Sequence, residues 1–152
     1  MTMRRHWILI VASVLLAAAS LRVSAQAPVT YERLLNAAKE PQNYLTYGGD
    51  YFSTRYSTLT QITPANVKSL NLAWAHQSPL TGSWQATPIV ADGIMYLTQR
   101  PNDVLALDAA TGELRWRTKL ASPARSAPTI SPDSLFIATI DSSVVALARD
   151  DG

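Results

Sequence analysis

Two stretches of this chain repeat one another at an offset of 40 or 41 residues. Gln85-Ala86-Thr87-Pro88 aligns with Arg125-Ser126-Ala127-Pro128, and Asp92-Gly93-Ile94-Met95-Tyr96 with Asp133-Ser134-Leu135-Phe136-Ile137. Further on, Val104-Leu105-Ala106-Leu107 aligns with Val144-Val145-Ala146-Leu147, and Gly112 with Gly152. Within each unit the apolar segments are short, rich in β-branched and aromatic residues, and separated by Pro, Gly, Asp or Ser. That is the pattern of strands joined by tight turns.

Four such strands in about 40 to 50 residues is the signature of a propeller blade. The strands expected are Thr87 to Ala91, Gly93 to Thr98, Val104 to Asp108 and Leu114 to Lys119 in the first unit. In the second they are Ala127 to Ser131, Leu135 to Thr139 and Val144 to Ala148. The fold class expected is therefore all-β, a partial β-propeller of about one and three-quarter blades spanning residues 73–152. Blades bury their faces against their neighbours, so an isolated pair would expose a face and an edge. The expectation is a fragment of a longer gene product, whose next residues would supply an aromatic side chain four positions after Gly152, as Trp116 follows Gly112.

The first 25 residues read as a secretory signal peptide. Arg4 and Arg5 precede a run without charge from Trp7 to Leu21, and small residues follow. The run has 15 residues, short of the roughly 20 that a membrane-spanning helix needs. Val23-Ser24-Ala25 and Ala25-Gln26-Ala27 both offer a cleavage site; cutting after Ala25 is preferred, because the other choice leaves Pro28 at the new terminus. Cleavage would remove Arg4, Arg5 and Arg22 and no acid, leaving ten cations against eleven acids and a net charge of −1. The basic pI of the whole chain therefore gives no reason to expect a nucleic-acid partner. The chain has no cysteine, so it holds no disulfide, no thiolate metal site and no lipidated N-terminal Cys. The expected location is periplasmic or secreted.

Residues 26–72 form an N-terminal helix and a lead-in segment. Thr30 can cap a short helix carrying Leu34, Leu35 and Ala38 on one side, ended by Pro41. Tyr44 to Ser57 reads as an ordered loop with Arg55 as a buried cation bonded to carbonyls. Thr63 before Pro64 reads as the cap of one or two further turns, and Asn71 to Gln77 as a strand. His76 stands alone, so no metal cluster or His-based triad is expected. Asp92 and Asp133 are expected in turns for backbone reasons. No Gly-rich phosphate motif occurs, which argues against a nucleotide cofactor.

The unit Ala106-Leu107-Asp108-Ala109-Ala110-Thr111-Gly112-Glu113-Leu114-Arg115-Trp116 combines an Asp that bonds its own turn, a Gly free to take positive φ and an indole on the following strand. It resembles the tryptophan docking motif of quinoprotein propellers, with Trp74, Asp108, Gly112 and Trp116 as its structural residues. Ala148 stands where Asp108 stands in the first unit, so the second turn is expected to lack the side-chain bond. Upstream, Tyr47-Gly48-Gly49-Asp50, Arg55-Tyr56-Ser57, Gln61-Ile62, Asn66-Val67 and Ala73-Trp74, followed by Gln85 to Tyr96, resemble the N-terminal part of PQQ-dependent alcohol and methanol dehydrogenases.

That resemblance implies an eight-bladed ring, PQQ and Ca2+ as cofactors, and hydride transfer from an alcohol or sugar to PQQ. Electrons would pass on to a periplasmic acceptor such as a cytochrome c or a quinone. It carries two cofactor-binding positions onto this chain, Gln85 before Ala-Thr-Pro and Arg125 at the equivalent point of the next repeat. An Arg fork suits the carboxylates of PQQ; the alternative is that both are solvated turn residues. No catalytic residue and no metal ligand is expected within this chain, since the family's catalytic Asp and calcium ligands come from later blades. The family's adjacent cysteines are missing, which keeps open a non-catalytic PQQ-repeat scaffold for protein–protein contacts.

Overall fold

A computed structural model of the chain describes residues 26–78, 80–82 and 86–152. The proposed signal peptide and Gln85 lie outside the described residues. The described residues form helix α1 (Tyr31–Leu35), short 3-10 turns at Ala37–Lys39 and Val67–Ser69, and seven strands. Strands β1 (Ile89–Ala91), β2 (Ile94–Gln99), β3 (Asp103–Asp108) and β4 (Leu114–Lys119) make a four-stranded antiparallel meander; β5 (Thr129–Ile130), β6 (Ser134–Ala138) and β7 (Val144–Ala148) make a three-stranded one. The repeat unit is thus a blade, complete in the first copy and three-stranded in the second.

Register follows from the turns. Asp92 and Gly93 take φ of 52° and 81°, closing a tight turn that sets Ile89 opposite Tyr96 and Ala91 opposite Ile94. In the second unit Thr129 faces Phe136 and Ser134 faces Ala148, as Ile94 faces Asp108 in the first. A bulge at Ala106/Leu107 adjusts the pairing of β3 with β4.

The strand period of two sends alternate residues to opposite faces. Val104 and Ala106 of β3 face the second sheet and join Tyr96, Ile89, Leu135 and Ile137 in the main core, while Leu105 and Leu107 face the other way and pack with Leu97 and Trp74. Both faces of the first sheet are therefore covered, and β3 is buried along nearly its whole length. Each fully buried side chain of this kind contributes roughly 1.5–3 kcal/mol. The second sheet is covered on one face only: Leu135 and Ile137 are buried, but Phe136 and Val144 on the opposite face are exposed.

Residues 26–45 seal the two sheets. Val29 and Leu45 enter the main core, and Tyr44 pairs with Val90 through backbone bonds of 2.8 and 2.9 Å, covering the edge of β1. Thr30 caps α1, accepting from the Arg33 N–H at 3.3 Å. Among the described residues no helix is long and apolar enough to cross a membrane.

Three local expectations are overturned. Asn71 to Gln77 is not a strand, because its pattern suits a sheet edge but no described strand lies beside it to complete a ladder. Among the described residues between Thr63 and β1 the only helical element is the 3-10 turn Val67–Ser69, whose N-cap residue Asn66 makes no side-chain capping bond; its Oδ1 accepts instead from the Thr63 N–H upstream at 2.7 Å. Arg55 is exposed and donates to the Tyr47 hydroxyl at 3.2 Å, with its guanidinium 5.8 Å from that ring's centre; a cation stacked on tyrosine in water needs no carbonyl cage.

Candidate functional site

Antiparallel strands give each blade two ends. One carries the β1–β2, β3–β4 and β5–β6 turns together with the turn after β7; the other carries the β2–β3 and β6–β7 turns and the connection from β4 to β5.

At the first end each indole is seated on the following unit. Trp74 donates its Nε1–H to the Ala109 carbonyl at 3.1 Å, and Trp116 donates to the Arg149 carbonyl, the repeat-equivalent acceptor, at 2.9 Å. Gly112 (φ 76°) and Gly152 (φ 87°) lie beneath the rings: a Cβ on Gly112 would stand 2.6 Å from Trp74 Cε3, and one on Gly152 2.8 Å from Trp116 Cε3. Asp108 Oδ1 accepts from the Ala110 and Thr111 N–H groups at 3.0 Å each, while Oδ2 accepts from Arg115 at 2.6 Å. Arg115 first, then those backbone bonds, hold the Asp108 carboxyl below the ordinary carboxylate range. The second turn lacks this carboxylate yet keeps the same main-chain closure, Gly152 N–H to the Ala148 carbonyl at 3.1 Å against Gly112 to Asp108 at 2.8 Å.

The same end holds a buried polar cluster that the repeat pattern does not announce. Arg149 is 2% exposed; it donates to the carbonyls of Ala27 (3.2 Å) and Pro132 (2.9 Å) and to Gln26 Oε1 (2.8 Å). Gln26 Oε1 also accepts from the Tyr96 hydroxyl at 2.6 Å. Arg33 donates to Asp92 and Glu40, both at 2.7 Å, and Asp92 lies 3.7 Å from Arg149. Asp92 is therefore in its turn for a tertiary reason as well as a backbone one. The readable signal was that Arg149 occupies the place of the small Ala109 in the first repeat.

At the opposite end Arg125 sits in the connection to β5, exposed to solvent. Its neighbour Ala124 bridges to Thr139, and Thr98 bonds the Ser126 carbonyl at 2.9 Å, so the backbone on both sides of Arg125 is fixed by the sheets. Strand β1 also starts from this end. The structure thus describes Arg125 but not Gln85, and it gives no distance between them. His76 is not alone: its Nε2 bonds Gln99 Oε1 at 2.6 Å, which attaches the stretch after Trp74 to the end of β2.

A cleft of about 610 Å3 lies beside the starts of β1 and β5, between Thr87, Ser126 and Thr129 on one side and Tyr47, Asp50 and Tyr51 on the other. Bonds from Thr54, the largest cause, and from nearby backbone keep the Asp50 carboxyl ionised to below the ordinary range. Among the described residues that carboxylate is the one acidic group lining the cleft. The exposed guanidinium of Arg125 suits a tricarboxylate, and Arg100 in the β2–β3 turn is a second exposed guanidinium at the same end. Among the described residues no group of three or more His, Asp or Glu could hold a metal ion.

Two adjacent antiparallel meanders, each indole seated on the glycine turn of the next, define the quinoprotein class of β-propeller. The comparisons with known proteins agree. Residues 44–132 match the family described as "Glucose/ethanol/alcohol dehydrogenase, beta-propeller domain", more than half of the chain, and the chain belongs to that family. It is 43% identical over 98 residues to the quinohemoprotein alcohol dehydrogenase ADH-IIG of Pseudomonas putida, covering 64% of this chain and 14% of that protein. It is 33% identical over 151 residues to the quinoprotein alcohol dehydrogenase PedH of Pseudomonas putida, covering 92% of this chain and 25% of that protein. The solved structure of ADHIIG from Pseudomonas putida HK5 superposes with a TM-score of 0.76 at 32% identity, over 83% of this chain and 20% of that one. The chain spans about a seventh to a quarter of the curated relatives' length.

Proposed function

We propose that this chain is the N-terminal part of a periplasmic PQQ-dependent dehydrogenase that oxidises an alcohol or a sugar and passes electrons to a cytochrome c or a quinone. The observation that carries the reading is the family match across residues 44–132, which runs through both candidate contacts. PQQ, when bound, would supply a hydride acceptor and Ca2+ would supply Lewis acidity. Arg125 would hold PQQ carboxylate through its two-pronged donor face, and Gln85 would donate or accept at the quinone's polar edge from the repeat-equivalent position. The calcium ligands and the general base would come from blades beyond these residues, so residues 1–152 alone turn over no alcohol. The missing adjacent cysteines keep open one second reading, a PQQ-repeat scaffold without cofactor, which the missing lipobox cysteine disfavours.

One experiment separates the two. The full gene product is purified from the periplasm and its bound PQQ measured by absorbance, alongside dye-linked alcohol oxidation. The enzyme reading expects PQQ retention, lowered at least tenfold by Arg125→Ala and less by Arg125→Lys. A cofactor-free, inactive wild type would leave the scaffold. Retention unchanged in Arg125→Ala would remove Arg125 from the site.

A further inference from the structure

The cluster at the turn end of the blades is built around one carbonyl oxygen. Gln26 Oε1 accepts from the Tyr96 hydroxyl at 2.6 Å and from Arg149 Nη2 at 2.8 Å, and both donor residues are all but fully buried, at 0% and 2% exposure. The residues that follow are held as firmly. The Ala27 carbonyl accepts from Arg149 and Arg33, the Pro28 carbonyl from Arg33, and Val29 is 1% exposed in the core. Gln26, the residue that signal cleavage after Ala25 would make the first, is therefore held through its side chain as firmly as the residues after it. Cleavage after Ala27 would discard the acceptor that these two buried donors share.

We propose that Gln26 is the mature N-terminus and closes to pyroglutamate, a neutral lactam seated between the two blades. The proposal rests on the export and cleavage reading above. In its neutral form the Gln26 α-amine attacks the side-chain carbon Cδ. The new N–Cδ bond forms, the Cδ–Nε2 bond breaks, and the amide nitrogen leaves as ammonia with a proton from the attacking amine. No oxidant or other reactant is consumed. Oε1 survives as the lactam carbonyl oxygen and keeps the same two donors.

Two physical arguments favour the closed form. Negative charge develops on Oε1 during attack, and the Tyr96 O–H and the Arg149 N–H already lie at hydrogen-bond distance from it; prearranged donors of this kind favour such a step. An unreacted terminus would also place an ammonium within one side chain's reach of the buried Arg149 guanidinium and near Arg33. Of the carboxylates there, Asp92 bonds Arg33 and faces Arg149, and Glu40 bonds Arg33, leaving Asp150, whose charge reaches Tyr96, on the exposed side. Like charge with little water between is costly, and the lactam removes it.

The test is mass spectrometry of the N-terminal peptide of the full-length protein exported with its own leader. The expected peptide starts at residue 26, is lighter than the unmodified sequence by one ammonia, and resists stepwise N-terminal degradation until treated with pyroglutamyl peptidase. The folded chain should cyclise several-fold faster than the same chain held in urea. Tyr96→Phe should slow the folded chain, and Gln26→Glu, which has no ammonia to lose, should keep a free amine. A free Gln26 amine on the folded protein overturns the proposal, as does a rate equal to that in urea. A peptide starting elsewhere overturns the cleavage reading first, and the mass alone tells the two failures apart.

Discussion

The indole of Trp116 donates its N–H to the carbonyl of Arg149 at 2.9 Å while its ring rests on Gly152, repeating in the second blade what Trp74 does with Ala109 and Gly112 in the first. The indole requires a residue without Cβ beneath it and a turn whose carbonyl points outward. Positive φ at the glycine supplies both.

Gly112→Ala should therefore destabilise the chain twice over. The left-handed conformation costs an L-residue roughly 1–2 kcal/mol, and a methyl 2.6 Å from the Trp74 ring adds overpacking of about 1–3 kcal/mol. In a Trp74→Ala background the second cost should vanish and the first remain. A double-mutant cycle on urea midpoints measures the difference; simple additivity would show that the ring and the glycine are not coupled.

Arg149 joins the N-terminal segment to both blades, so its removal should release that segment while the sheets persist. Arg149→Met leaves the Pro132 carbonyl without its side-chain donor and takes one of two donors from Gln26 and from Ala27, and breaking a buried charged network costs about 3–5 kcal/mol. Arg149→Lys should recover little, because one ammonium cannot reach acceptors that the fork serves in different directions. Amide hydrogen exchange should rise at Val29 to Leu34 in both variants and change far less in β2 and β3. Uniform acceleration would mean that the cluster belongs to the global core.

Acid should loosen the same attachment. The Arg33 guanidinium, as the largest cause in each case, holds the Asp92 and Glu40 carboxyls below their ordinary values of 3.8 and 4.5. A depressed carboxyl contributes stability in full above its unfolded value and loses it as pH falls through the folded one. The N-terminal segment should thus hold unchanged from neutrality to about pH 5 and weaken below it. Asp92→Asn should flatten part of the fall in melting temperature between pH 5 and pH 3; an identical profile in the variant would exclude Asp92 as a cause.

Much of the blade was readable because turn chemistry is local. Asp92-Gly93 and Asp108 to Gly112 act on their own backbone, and the strands they bound lie within a few residues of the expected ones. The misreadings share a different physics. Asn71 to Gln77 has a strand's composition, but a strand exists only with a hydrogen-bonded neighbour. Arg149 and Asp92 form their contacts with residues 26–33, far away in sequence, so periodicity is silent about them. For the candidate site, repeat position made Arg125 the equivalent of Gln85 at the opening of a first strand, and the structure places it in the connection before β5. What it touches there depends on blades that the repeat does not describe.

The two glycine turns differ in whether their first residue carries a side-chain acceptor, and that difference can be engineered. Asp108 Oδ1 accepts two backbone N–H groups in the first turn, whereas Ala148, in the same register opposite Ser134, accepts none through its side chain. The main-chain closure is nevertheless the same, so an acceptor placed at 148 meets a ready-made turn. Ala148→Asn should gain roughly 0.5–1.5 kcal/mol, the net worth of an ordinary hydrogen bond. Ala148→Asp should gain less despite matching the first repeat, because Asp150 and Asp151 follow immediately and a third carboxylate is repelled. Salt screens that repulsion, so the gap between the variants should narrow at high ionic strength. Thermal melts of both variants at low and high salt decide it, and an Asn variant no more stable than the wild type would show that the main-chain closure alone saturates the turn.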